Sequence, residues 1–186
     1  MSLRKIILAV LLHATATYCG WGQTYVCADG YVTFRSEAPL EVIIAESSQL
    51  KGVLDIEKNT FAFSIEIQSF EGFNSPLQRV HFNENYLESN RFRTASFSGK
   101  IIERLDFSKS GAHEVRAKGT FNIHGVEKER IIQGTLNIND DRLEISSSFS
   151  VLLDDHNIKI PKIVSQKIAK EIYVEMSAGL LKAEEK

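Results

Sequence analysis

His81, His113, His124 and His156 are the side chains of this 186-residue chain best suited to proton transfer or metal ligation once its first 22 residues are set aside. Their spacing assembles no chemistry by itself. His81 lies in VHFNENY, where the i+4 position is Asn85, a poor metal ligand, so no two-histidine helix face forms. No G-x-S-x-G elbow presents a serine nucleophile, and no HExxH, Walker A, dinucleotide fingerprint or EF-hand loop occurs. The acids are interleaved with bases, as in Glu127-Lys128-Glu129-Arg130 and Asp140-Asp141-Arg142, and read as solvated faces. A glycosidase pair needs two acids brought together in space, and nothing in the chain singles one out. The residues lead us to expect no catalytic residue, no metal site and no cofactor. The rival is a hydrolase or isomerase that uses His81 or His124 as its base.

One polar stretch stands apart. FNSPLQRVHFNENY, residues 73–86, interleaves Asn, Arg, His and Tyr with Phe. It suits a mouth where a polar group meets an apolar interior. It suits equally a helical cap whose polar atoms satisfy backbone at the end of a sheet. Pro76 fits a first helical turn, Ser75 a cap, and Leu77, Val80 and Tyr86 or Leu87 recur at roughly helical spacing, so one short helix is expected over 76–85.

The elements that hold this stretch are strands. Leu143, Ile145, Ser147, Phe149, Val151 and Leu153 fall on one face, with Glu144, Ser146, Ser148, Ser150 and Leu152 between them. This period of two marks a half-buried antiparallel strand. Thr60 to Ser69 repeats it through Phe61, Phe63, Ile65 and Ile67. So do Phe97 to Phe107, Val115 to Ile123 and Ile132 to Ile138. Turn signals fall between the runs at Glu57-Lys58-Asn59, Ser108 to Gly111, His124-Gly125 and Asn139-Asp140-Asp141. Tyr31 to Ser36, Leu40 to Ala45 and Leu50 to Ile56 complete the front of the chain, with a short helical turn near 162–169, a last strand over Glu171 to Ala178 and a charged tail over 180–186. About eight long antiparallel strands in one unit predict an all-β fold, a closed or nearly closed barrel or a sandwich, with strand length favouring the barrel.

The N-terminus reads as an address. Arg4 and Lys5 precede the apolar run IILAVLL, and Gly20-Trp21-Gly22 supplies a small-x-small cleavage pattern, so residues 1–22 are expected to be a removed signal peptide. Tyr18 is bulky where lipoprotein signals use a small residue, which argues against a lipid anchor at Cys19. The remaining single domain, 23–186, holds 20 basic and 24 acidic residues for a net charge of −4, no tryptophan and the lone Cys27. That balance gives no footprint for nucleic acid, and no later stretch is apolar for long enough to span a bilayer as a helix. The expected compartment is the periplasm or the exterior.

Several segments, in order, carry a resemblance: AESSQLKG, FAFSIEIQSF, FNSPLQRVHFNENYLES with RFRTASFSGKI, VRAKGTFNIHGVEKERIIQGTL and FSVLLDDHNIKIP. Over about residues 31–178 the chain resembles the YceI-like family, and FRSEAPLEVIIA resembles the opening of its variants common in Bacteroidetes. It departs from the family's usual text at Arg93 and at Glu127-Lys128-Glu129, both near turns. The resemblance implies an extended, lipocalin-like antiparallel β-barrel, exported, carrying a polyisoprenoid or similar apolar chain inside and doing no chemistry on it. Candidate lining residues on the alternating faces are Phe61, Phe63, Ile65, Phe97, Ile101, Phe121, Phe149 and Val151. Arg79, His81 and Asn83 are the candidates for the head-group end. The alternative is a filled barrel with a structural or stress-response role and no ligand.

Overall fold

The computed structural model describes residues 24–139 and 142–183. The expected signal peptide, Asp140-Asp141 of the expected turn and the last three residues lie outside the described residues. Nine strand segments form one antiparallel sheet: β1 (Thr24–Ala38), β2 (Glu41–Ser47), β3 (Lys51–Asp55), β4 (Thr60–Glu66), β5 (Thr94–Ile101), β6 (Gly111–Ile123), β7 (Val126–Ile138), β8 (Arg142–Leu152) and β9 (Glu171–Lys182). β1 pairs with β9 from Tyr25 opposite Lys182 to Ser36 opposite Ile172, and this pairing closes the sheet on itself.

The barrel has eight staves although nine segments build it. β2 and β3 both run antiparallel to β1 along one edge, β2 against Val32 to Ala38 and β3 against Thr24 to Val26. They are one broken strand. The break has a local cause: the Ser47 hydroxyl accepts from the Gln49 amide at 3.1 Å and bonds the Ser69 hydroxyl at 2.6 Å, offering the backbone a partner other than the ladder. Only β3 continues to β4. β2 is left with a free edge, and the segment between β4 and β5 covers it through the paired Glu46 and Glu71 amides and through Asn74, whose side chain donates to the Val42 carbonyl at 2.9 Å.

That covering segment contains α1 (Pro76–His81), with Ser75 accepting from the Gln78 amide as N-cap, followed by one π turn over Phe82–Tyr86. The expected helix is therefore present, with its second half wound more loosely. Near the C-terminal end, the turn expected at 162–169 is a single 3₁₀ turn at Lys162–Val164 with further turn hydrogen bonds to Ile168.

Several expected strands change their ends: β1 begins seven residues before Tyr31 and β7 six before Ile132. The run Thr60 to Ser69 stops at Glu66, where Ile67–Ser69 winds into a 3₁₀ turn. The run Phe97 to Phe107 stops at Ile101. Leu105 and Phe107 still pack on the core, but from a loop, because the Glu103 carboxylate takes the Arg116 amide at 2.7 Å where a ladder carbonyl would sit. The last strand runs on through Lys182, and fully buried Leu180 belongs to the core rather than to a charged tail. At the β6–β7 hairpin, His124 (φ 55°) and Gly125 (φ 71°) both take positive φ, the type I′ geometry that suits the strand twist. A Cβ on Gly125 would lie 2.4 Å from the Phe92 ring.

The two ends of the barrel differ. Leu54, Leu136, Leu143 and Leu180 are wholly buried and fill the end that carries the β3–β4 and β7–β8 turns. The other end is framed by the β1–β2 turn, the α1 segment, the β6–β7 hairpin and the loop between β8 and β9.

Candidate functional site

An apolar cavity of about 600 Å³ lies between the filled end and the α1 segment. It falls inside the range of about 300–1,000 Å³ usual for small-ligand sites. Alternation alone allows either face to point inward, and the structure selects one. Phe61, Phe63 and Ile65 of β4, Phe97 and Ile101 of β5, Phe121 of β6, and Phe149 and Val151 of β8 all line it. Their rings form a belt across four strands, with centroids 4.9 Å apart for Phe61 and Phe97, 6.2 Å for Phe97 and Phe121, and 5.9 Å for Phe121 and Phe149. Gly52 leaves the space that the Phe63 ring occupies, since a Cβ there would meet the ring at 2.1 Å.

A second aromatic group closes the cavity from above. Phe34 of β1 stacks on Phe82 at 5.3 Å, and Phe70 and Phe73 pack against both. All four rings line the cavity. Sequence reasoning left them out of the lining because three of them lie in the irregular stretch 67–86, where period two gives no signal. The run of Phe among polar residues there was the visible trace.

At the mouth the lining turns polar. Ser36, Glu41, Ser75, Gln78, His81 and Lys167 join it. Gln78 donates to the Glu41 carboxylate at 2.5 Å, and the Asn74 side chain donates to the same oxygen at 3.3 Å. Ser36 is buried and its hydroxyl accepts from the Ala169 amide at 2.9 Å. His81 is exposed at this rim. Arg79 and Asn83 are not part of the lining. Arg79 donates to the Gln68 carbonyl at 3.0 Å and pairs with Glu71 at 3.8 Å, while the Asn83 side chain donates to the Arg79 carbonyl at 2.9 Å. Both brace the cap itself. The buried Asn83 Oδ1 has no partner among the described residues.

A polar clamp ties three of the mouth loops together. His124 Nε2 meets the Glu88 carboxylate at 2.8 Å and its Nδ1 meets the His156 carbonyl at 3.0 Å. His156 in turn donates from Nδ1 to the Val126 carbonyl at 3.2 Å. His156 is 1% exposed, and burial pushes its imidazole below the ordinary histidine value. Glu88, His124 and Asn157 all sit at positive φ beside this clamp. Both His124 nitrogens are thus occupied, one by a carboxylate and the other by a backbone carbonyl.

Between β7 and β8 the wall has a seam. β7 and β8 pair only from Thr135 opposite Ser146 to Ile138 opposite Leu143. Towards the mouth they separate, and Gln133, Gly134 and Ser147 at the split line the cavity. Side chains replace the ladder there: Ser147 donates to the Gln133 carbonyl at 2.5 Å and Arg130 to the Ser150 carbonyl at 2.8 Å.

Fold and site together define a closed eight-stranded antiparallel barrel built around an apolar cavity with a polar mouth. A YceI-like domain model matches residues 32–180, and the chain belongs to that family. Among solved structures it is similar to a polyisoprenoid binding domain from Saccharophagus degradans implicated in plant cell wall breakdown, with TM-score 0.72 and 11% identity, covering 87% of this chain and 99% of that one. It is also similar to BcnA of Burkholderia cenocepacia, with TM-score 0.67 and 12% identity over 81% of this chain and 95% of that one. A third similar structure is the YceI protein of Campylobacter jejuni, with TM-score 0.58 and 13% identity over 75% of this chain and 85% of that one. These likenesses show the fold. A curated relative, the Fat-like cadherin-related tumor suppressor homolog of Drosophila melanogaster, is 26% identical over 168 residues, and the chain spans about 3% of that protein's length.

Proposed function

We propose that this protein is an exported, non-enzymatic carrier that holds a long apolar chain, polyisoprenoid or similar, inside its barrel. The cavity carries the reading: a Phe belt and a Phe lid enclose about 600 Å³, and Glu41, His81 and Lys167 all stand at the mouth. A ligand with an apolar tail and one polar end matches that polarity. About ten buried methylenes would supply about 8 kcal/mol before the entropic cost of association, enough driving force without any reaction. Glu41, Gln78, His81 and Lys167 are the groups placed to meet the polar end. The polyisoprenoid-binding domain among the similar folds supports the ligand class. The apolar run after Arg4 and Lys5 supports export.

The test is native purification, organic extraction and mass spectrometry. A long-chain lipid in about equimolar amount is expected. An extract without lipid, from protein that also takes up no added polyprenol, contradicts the reading and favours a barrel that works without a ligand. Export is tested separately by N-terminal sequencing of the secreted fraction, where a start at Gln23 is expected and an intact Met1 contradicts it.

A further inference from the structure

We propose that the mouth rim docks on the surface of a bilayer containing anionic phospholipid. Four large apolar side chains stand out on the segments that frame the mouth. Ile163 is 91% exposed, Leu40 67%, Leu77 61% and Val80 44%. The segments are joined to one another: the Leu40 amide donates to the Gln166 carbonyl at 2.9 Å, and Gln78 of α1 holds Glu41 beside Leu40. These side chains therefore sit on one rim.

The charge on one segment of this rim, the loop between β8 and β9, runs against the rest of the molecule. Residues 157–170 hold Lys159, Lys162, Lys167 and Lys170 and no acid, in a chain whose net charge from residue 23 onward is −4. All four lysines are exposed, and none belongs to a salt bridge among the described residues. Asp154, Asp155 and Glu171 flank the segment rather than interrupt it. On the facing turn, Glu37 is paired with Arg35 and Glu41 is held by Gln78 and Asn74. An exposed isoleucine among unpaired lysines fits the boundary where acyl chains meet phosphate: the apolar tip enters, and the ammonium groups remain at the head groups. Lys167, Val164 and Ile168 of the same segment line the cavity, so docking in this orientation turns the mouth towards the lipid.

The inference extends the carrier reading, and vesicle binding is measured independently of cavity content, so either can fail while the other stands. The natively purified protein is floated with vesicles of phosphatidylcholine and phosphatidylglycerol in equal parts, and with phosphatidylcholine alone, at low and high salt. Binding to the anionic vesicles that falls with salt is expected, with little on phosphatidylcholine. Lys159→Gln, Lys162→Gln and Lys170→Gln are each expected to weaken it about fivefold. Ile163→Ser is expected to weaken it about tenfold or more. Lys118→Gln, on the outer wall, is expected to leave it unchanged. Thermal melting of each variant confirms the fold. No flotation, equal binding to both vesicle types, or loss with Lys118→Gln as large as with the rim lysines would overturn the proposal.

Discussion

Arg130 on β7 donates to the carbonyl of Ser150 on β8 at 2.8 Å, across the stretch where these two strands no longer pair. Its guanidinium also lies 5.7 Å from the centroids of both Phe121 and Phe149. One side chain thus stands in for part of a backbone ladder while resting on two rings of the cavity wall. A charged donor to a carbonyl contributes about 1.5–3 kcal/mol, and a cation on an aromatic face about 0.5–1 kcal/mol.

Arg130→Met keeps the bulk and removes both contributions. It is expected to lower unfolding free energy by about 2 kcal/mol in urea titration, and to speed hydrogen exchange in β7 and β8 near the mouth more than elsewhere. Uniform exchange across the barrel would show that the seam is not held by this residue.

The cavity makes an unusual prediction for a core substitution. Ala117 on β6 lines it, half-buried opposite Ile101 and Ile132. Enlarging a residue in a filled core costs about 1–3 kcal/mol. Here Ala117→Phe has empty space to enter, so its melting temperature is expected to stay near that of the parent while uptake of a long-chain lipid falls steeply. A variant that melts much lower would mean that the space is not available.

The His156 imidazole, held below the ordinary histidine value by burial, sets an acid limit. The unfolded chain binds this proton more readily than the folded one. The contribution to stability is full above about pH 6.5 and is lost as pH falls through the ordinary histidine range towards the depressed folded value. His156→Gln is expected to flatten that limb of the stability-against-pH curve, at a cost of about 1 kcal/mol at neutral pH for the weakened bond to Val126. Parallel curves for the two proteins would exclude His156 as the origin.

Gly99 and Gly119 face each other across β5 and β6. A Cβ on Gly99 would meet the Lys118 carbonyl oxygen at 2.1 Å, and one on Gly119 the Ser98 carbonyl oxygen at 2.1 Å. Because the obstacle is backbone, Gly119→Ala is expected to cost at least about 2 kcal/mol, far more than a surface change. A shift of only a few tenths, measured by urea titration, would show that the strands can move apart.

How much of this was legible depends on what each pattern reports. Alternation at Leu143 to Leu153 and Phe61 to Ile67 correctly gave which side chains share a face, hence the Phe belt. It reports side-chain burial, not backbone pairing, so Leu105 and Phe107 looked like strand residues while packing from a loop. The break after Ser47 was hidden because a hydroxyl makes it, with no Gly or Pro to mark it. The Phe34–Phe82 lid was hidden because its partners are 48 positions apart and one of them lies in a π turn. The β7–β8 seam left a partial trace: the charged run Glu127-Lys128-Glu129-Arg130 breaks the alternation of β7 in the stretch where the two strands part, while β8 alternates through it. At the mouth, residue types alone did not separate His81, which lines the cavity, from Arg79 and Asn83, which brace the cap without lining the cavity.

The central claim is that an apolar chain occupies the barrel interior, and native mass spectrometry of delipidated protein titrated with a long-chain polyprenol tests it most directly. One bound chain per protein is expected, lost in Ala117→Phe and retained when the outer-wall residue Lys118 is changed to Gln. No adduct, or an adduct that Ala117→Phe leaves undiminished, would contradict the account.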